Sequence, residues 1–276
     1  MKKILALLLA AMLLLNCLAA CGGGGDNRLA KIKAAGKITM ATSPDFAPSE
    51  FQDLSSGSAE VVGCDIELAK YIANKLGVEL EIKSMDFDAI KTAVTTGNVD
   101  FALSGLAYTE DRAQSMELSI PYGLDPDDMG HGVIIREEDA EKYKTAEDFA
   151  GAGVAAQTGS LQQELASTQL PDSIELKPIG NLGEAIMMLS TGKVDAIASD
   201  YRNGTLYVEK HPGLMMSEFH FVEDSEGTVA AVKKGETELI EAINEILEEV
   251  NELGLYQQWR LDAIELARSL GVEVNE

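Results

Sequence analysis

A ten-residue pattern occurs twice in this chain. Thr96-Gly97-Asn98-Val99-Asp100-Phe101-Ala102-Leu103-Ser104-Gly105 returns as Thr191-Gly192-Lys193-Val194-Asp195-Ala196-Ile197-Ala198-Ser199-Asp200. Each copy follows a helical pattern that its Gly can end, because Gly accepts the left-handed backbone of a helix terminus. The Asp then enters an apolar strand, and the strand delivers Ser-Gly or Ser-Asp at its carboxyl end. Two similar α/β lobes are the expected result. Open α/β sheets bind ligands beyond the carboxyl ends of their strands, so the two strand tips are expected to face each other across a cleft.

The surrounding sequence keeps that rhythm. Strands are expected over 37–42, 80–85 and 99–103, with amphipathic helices over 65–76 and 88–95 between them. The second lobe repeats it, with strands over 153–156, 175–177 and 194–199 and helices over 160–167 and 182–189. A final strand at 228–232 and a long acidic helix over 236–253 are expected to return to the first lobe. The crossings between lobes fall near 123–130, where Pro126, three Asp and two Gly interrupt the pattern, and near 217–225. The 276 residues are enough for two domains.

The amino terminus reads as an export signal. Lys2 and Lys3 precede an unbroken apolar run over 4–15, which is shorter than a membrane span needs. The run closes on Leu18-Ala19-Ala20-Cys21, a lipobox-like tetrad whose Cys would carry lipid, followed by Gly22–Gly25 as a tether. Residues 1–20 are therefore expected to be a signal peptide and 21–30 a flexible tether. The protein would be exported and lipid-anchored through Cys21 to the outer face of the cell membrane. Cys64 would be left as the only thiol, with no disulfide. With 22 Lys and Arg against 46 Asp and Glu, the formal net charge is −24, which repels phosphate backbones and argues against a nucleic-acid partner.

Catalytic motifs are weak. No nucleophile elbow, phosphate loop or His-Glu-x-x-His motif is present, and His131, His211 and His220 read as surface residues near boundaries or turns. A binding constellation is better supported. Ser104-Gly105-Leu106-Ala107 ends a strand just before Thr109-Glu110-Asp111-Arg112, where backbone N–H groups and a planar guanidinium suit a carboxylate. Gly159-Ser160 offers the same in the second lobe, and Asp200 can accept hydrogen bonds from an ammonium. A carboxylate grip facing an ammonium grip describes an α-amino acid. From spacing alone two other roles stay open: Arg112 as a surface partner of Asp111 or Glu110, and Asp200 as a helix N-cap.

The runs 36–48 and 62–68, then 104–112, 119–122, 156–160, 192–196 and Asp200, follow one another in an order that resembles the polar amino-acid-binding proteins of ABC importers (solute-binding family 3). The resemblance spans essentially residues 31–261. It implies a two-lobe periplasmic-binding-protein-like (type II) α/β fold, each lobe a mostly parallel sheet flanked by helices, with two hinge crossings. Lobe 1 would comprise 31–128 and 219–276, and lobe 2 residues 129–218. Arg112 would hold the ligand α-carboxylate, assisted by Ser104, Gly105, Ala107 and Ser160, while Asp200 takes the α-ammonium and Phe46 covers the side chain. Ser43, Cys64, Gln157 and Leu161 would complete the cleft. No catalytic residue, cofactor or metal is implied. The partners would be the amino acid or a related small molecule and an ABC permease, with the protein monomeric.

The departures lie in the side-chain pocket. Ser49, Cys64 and Gly123 stand where the family usually has aromatics, and Ala107 stands where a hydroxyl is common. Lost rings remove stacking surface and would widen the pocket. The competing readings are a cyclohexadienyl-dehydratase-like enzyme on the same fold, or a ligand sensor or scavenger without transport.

Overall fold

In the computed structural model of this chain, residues 27–124, 129–223 and 227–270 are described. The expectations about residues 1–20 and Cys21 lie outside them. Asn27 accepts the Ala30 N–H at 2.8 Å and caps α1 (Arg28–Ala35), whose Ile32 is buried. The tether expected to reach residue 30 therefore gives way to helix at Arg28, where a side-chain cap and an apolar anchor fix the backbone.

The first lobe continues through β1 (Lys37–Thr42), β2 (Asp45–Phe46), β3 (Glu50–Asp53), β4 (Glu60–Val62) and α2 (Cys64–Leu76). It then forms β5 (Glu79–Ser84), α3 (Phe87–Thr96), β6 (Phe101–Ala102), α4 (Glu110–Ser115) and β7 (Met116–Leu118). The second lobe holds β8 (His131–Arg136), β9 (Gly153–Gln157), α5 (Leu161–Gln169), β10 (Glu175–Ile179), α6 (Leu182–Ser190), β11 (Ala196–Asp200), α7 (Tyr201–Lys210) and β12 (Leu214–His220). The chain returns as β13 (Ala231–Lys233), α8 (Thr237–Leu253) and α9 (Leu255–Leu270).

Two five-stranded sheets share one plan, β5-β1-β6-β13-β7 and β10-β9-β11-β8-β12. In each, the first three strands are parallel and the fourth runs antiparallel to its neighbours. Helices cover both faces of both sheets, which is why the strands read as apolar runs rather than alternating ones. Lobe 1 buries Ile38, Met40, Phe101 and Val232 against α2, α8 and α9 on one face. Ile90, Val94 and Val99 lie on the other. A small antiparallel sheet, β2-β3-β4, has no counterpart among the described residues of lobe 2 and was not visible as periodicity, its strands being two to four residues long.

The second crossing sits later than the expected boundary at 218. Strand β12 runs to His220, which pairs with Gly132 of β8 after a bulge, and Phe221 N–H still bonds His131 O at 2.9 Å. The ladder to β8 thus holds 219–221 in lobe 2.

The repeat has a structural cause. Asp100 Oδ2 accepts the Thr39 N–H at 2.6 Å and the Thr39 hydroxyl at 2.7 Å, and its Oδ1 takes Arg28 Nε. Asp195 Oδ2 likewise accepts the Gly153 N–H at 2.9 Å while Oδ1 meets Arg136 Nη2 at 3.3 Å. In both lobes one carboxylate ties the incoming turn to the neighbouring parallel strand and is answered by a guanidinium. The Gly of each copy takes positive φ, +76° at Gly97 and +73° at Gly192. The pattern thus fixes where β6 and β11 end, and those ends carry the site.

Candidate ligand-binding cleft

A cavity of about 210 Å³ lies between the lobes, with β6 and β11 delivering Ser104, Gly105 and Asp200 to its wall. Of the residues expected there, Phe46, Ala107, Arg112, Gln157, Ser160 and Leu161 line it as well. The lobes are in contact around it. Asp45 Oδ2 accepts both Gln157 Nε2 and the Leu182 N–H of lobe 2 at 2.9 Å. Tyr207 donates its hydroxyl to Asp45 O, and Asn203 Nδ2 donates to Ala47 O, each at 2.8 Å. Burial raises the Asp45 carboxyl above its ordinary range.

Arg112 lies on α4, whose N-cap Thr109 accepts the Arg112 N–H at 3.2 Å. Its side chain is not a surface partner of Asp111, which bonds Lys91 instead. Only 7% of Arg112 is exposed, and its guanidinium donates to Ala107 O at 2.5 Å and, across the cleft, to Gly159 O at 3.2 Å. Among the described residues no carboxylate forms an ion pair with it. Burial brings its pKa down to about 10, an energetic cost of holding the cation in a site with too few counter-charges; Glu164 and Asp111 oppose the shift. At neutral pH the group is still charged.

Asp200 takes the N-cap role and also stands at the cavity. It caps α7, accepting the Asn203 N–H on Oδ1 at 2.9 Å, and it lines the cavity. Ser160 similarly caps α5 through Gln163 N–H at 3.1 Å, so the first turn of that helix faces the cleft. Phe46 packs closely on Gly105: a Cβ there would stand 2.9 Å from two ring carbons, and φ is +52°. Gly105 is needed for that close approach.

Four expectations change in detail. Ser43 does not line the cavity; its hydroxyl donates to Asp45 Oδ1 at 2.8 Å, and its N–H bonds Ser104 Oγ at 3.0 Å. The Gly105 N–H is not available to a ligand, because Asp65 Oδ2 accepts it at 2.9 Å. Gln157 lines the cavity, but its amide is engaged by Asp45 and Gly180 O. Cys64 lies behind the wall, fully buried, with Sγ 3.3 Å from the Tyr256 hydroxyl and 3.4 Å from Pro48 O. Burial raises the thiol to about 12, so it is an inert packing group.

Tyr256 explains the last point and was missed in the sequence. It reaches in from α9 and lines the cavity, packs edge-on against Tyr122 at 5.0 Å, and donates to Asp65 Oδ1 at 2.7 Å. A Cβ at Gly123 would stand 2.5 Å from its ring. The ring therefore fills space left open at Gly123 and Cys64. Cys64→Phe is accordingly expected to overpack the core, lowering stability by about 1–3 kcal/mol in urea titration and not restoring a stacking wall.

His131 was expected at the surface and is only 8% exposed. It lines the cavity with Glu223, which meets its Nε2 at 3.2 Å, while Gln162 Nε2 meets Nδ1 at 3.1 Å. Arg202, Thr228 and Arg260 line the same cavity. These residues come from the two crossings and from α7 and α9, so no local motif announced them. His220 is exposed as expected and stacks on Tyr201.

A two-lobe α/β body with a guanidinium on one lobe and an acid on the other defines a solute-binding fold. The family model described as bacterial extracellular solute-binding proteins, family 3, matches residues 38–261, and the chain belongs to that family. A probable histidine-binding protein of Neisseria gonorrhoeae is 30% identical over 263 residues, covering 94% of each chain. The arginine-binding extracellular protein ArtP of Bacillus subtilis is 27% identical over 255 residues, 92% of this chain and 94% of the relative. Among solved structures, an amino acid ABC transporter substrate-binding protein of Streptococcus pneumoniae bound to L-arginine superposes with a TM-score of 0.82 at 33% identity, covering 88% of this chain and 99% of that one.

Proposed function

We propose that this protein captures a free amino acid, or a molecule carrying the same backbone, between its lobes and delivers it to an ABC permease. The observation that carries the reading is Arg112, a buried guanidinium on lobe 1 that shares a cavity with Asp200 on lobe 2. An α-carboxylate relieves the buried cation, and the accompanying ammonium answers Asp200. Phe46 covers the ligand, Ser104, Ala107, Ser160 and Leu161 add the wall, and Tyr256 and the His131–Glu223 pair bound the far end. Gly105 shapes the site by letting Phe46 approach. The widening inferred from the missing aromatics is then confined to Ser49, which lines the cavity.

Binding both lobes at once stabilises the closed state, because the ligand's contacts with lobe 2 exist only there. Permease docking of the closed form is the expected next step. The lipobox-like tetrad supports export and anchoring through Cys21, which a Cys21→Ser variant released from the membrane fraction would test. The related proteins are tied by name to binding and ABC transport, which supports transport over a dehydratase reaction.

A thermal-unfolding screen of the twenty amino acids tests the reading. At 100 times its dissociation constant, a ligand is expected to add about 2.7 kcal/mol of stability. No shift with any of them, or with larger amino-acid derivatives, would remove the proposed ligand class.

A further inference from the structure

Segment 45–47 of lobe 1 reaches across to lobe 2 and is bonded there directly. It is anchored in lobe 1, because β2 pairs with β3, Asp45 opposite Phe51 and Phe46 opposite Glu50. Lobe 2 holds all three residues. Asp45 Oδ2 accepts Gln157 Nε2 from the end of β9 and the Leu182 N–H from the start of α6, each at 2.9 Å. The Asp45 and Ala47 carbonyls accept the Tyr207 hydroxyl and Asn203 Nδ2 of α7, each at 2.8 Å. Phe46 packs on the apolar cluster of lobe 2 that contains Ile179, Leu182 and Tyr207. Asp45, Leu182, Asn203 and Tyr207 themselves stand outside the cavity wall.

The chemistry of these contacts favours closure. Leu182 opens α6, so its N–H has no acceptor within the helix, and a carboxyl group there meets the positive end of the helix dipole. Parting the lobes breaks all four bonds and uncovers the apolar face on which Phe46 lies. Water can replace the bonds but not the apolar contact.

We propose that segment 45–47 is a latch, with Asp45 its principal bond, and that it favours the closed arrangement of the lobes before a ligand arrives. Affinity then depends on a residue outside the cavity. A closed state that is already populated asks less of a ligand's differential contacts, whereas a broken latch lowers the competent fraction and the apparent affinity with it. Asp45 is thus a positioning residue: it holds Phe46 at Gly105 and the lobes together without touching a ligand. The latch does not rest on the amino-acid reading, since every bond in it joins two residues of this chain.

Hydrogen exchange at the Leu182 amide, followed by NMR with no amino acid added, tests the latch. The first N–H of a helix has no partner inside the helix, so protection at Leu182 reports the bond to Asp45. In the wild type, exchange is expected to be at least about tenfold slower than in an unfolded chain, the mark of a favoured closed state. Asp45→Ala removes the acceptor and should speed it by about ten- to a hundredfold, the range of a hydrogen bond to a charged group. Tyr207→Phe is the decisive variant. It leaves Asp45 beside Leu182 and deletes only a hydroxyl on another helix, so a purely local bond would keep its protection. A latch that opens as a unit loses part of it, and exchange at Leu182 should rise about two- to tenfold. Amides of β9 and β11 should keep their rates, because lobe 2 itself stays intact. Unchanged Leu182 exchange in Tyr207→Phe, an equal rise throughout β9 and β11, or an unprotected Leu182 in the wild type would overturn the proposal. Should Asp45→Ala not fold, Tyr207→Phe still decides. Failure of every amino acid to bind would count against the proposed function and leave these rates untouched.

Discussion

Arg112→Ala is expected to lower affinity for the bound amino acid by about two to three orders of magnitude, as truncation of a buried charge partner costs roughly 2–5 kcal/mol. The size follows from the surroundings. The guanidinium is 7% exposed, and among the described residues no carboxylate pairs with it, so the ligand carboxylate meets a desolvated cation rather than one already neutralised. Arg112→Lys keeps the charge but loses the planar fork, and should recover only part of the affinity. Stability of the free protein should change little, because the side chain's two bonds go to carbonyl oxygens, Ala107 O and Gly159 O, while its burial is costly. Calorimetry measures the first effect and thermal unfolding the second. Unchanged affinity in Arg112→Ala would mean the carboxylate is held elsewhere.

The largest effect on stability is expected at Gly63. Its φ is +131°, and an added Cβ would stand 2.2 Å from Ser49 O, 2.6 Å from Ser49 C and 2.8 Å from Pro48 O. These are backbone atoms and cannot rotate away. The close approach has a cause: the Cys64 N–H donates to Pro48 O at 3.0 Å and the Asp65 N–H to Ser49 O at 2.9 Å, so the first turn of α2 is seated on the 48–49 backbone. Gly63→Ala must break that seat as well as adopt a conformation that L-residues avoid. A loss of about 4 kcal/mol or more is expected, at the exceptional end for one substitution. Urea unfolding measures it. Because the same seat places Asp65 under Gly105 and Tyr256, the ligand-induced shift should fall too. A loss under about 1 kcal/mol would mean the chain can part at 48–49 and 63–65 at little cost.

The order of lobes, strands and crossovers was legible because its causes are local. The repeat at 96–105 and 191–200 carries a helix-ending Gly, a strand-tying Asp and the residues at the strand tip within ten positions. That Arg112 and Asp200 stand at the cavity was legible for a similar reason, Arg112 following β6 on the next helix and Asp200 ending β11. Contributions from distant segments were not. Tyr256 reaches Asp65 across 191 positions, and His131 meets Glu223 only because the two crossings lie side by side. Hydrogen-bond accounting was also invisible. Gly105 looked like a ligand donor and Gln157 like a cleft residue, but their N–H groups are taken by Asp65 and Asp45, and Ser43 turns to Asp45. Sequence patterns show which groups reach the cleft, whereas the partners of their protons depend on buried acids with no periodic signature.

The most direct test is a crystal structure of the protein with whichever amino acid raises its unfolding midpoint most. The ligand is expected between the lobes, its α-carboxylate on the fork of Arg112 and its ammonium within hydrogen-bond reach of Asp200. A ligand seated outside this cleft, or one inside it that touches neither group, would contradict the account.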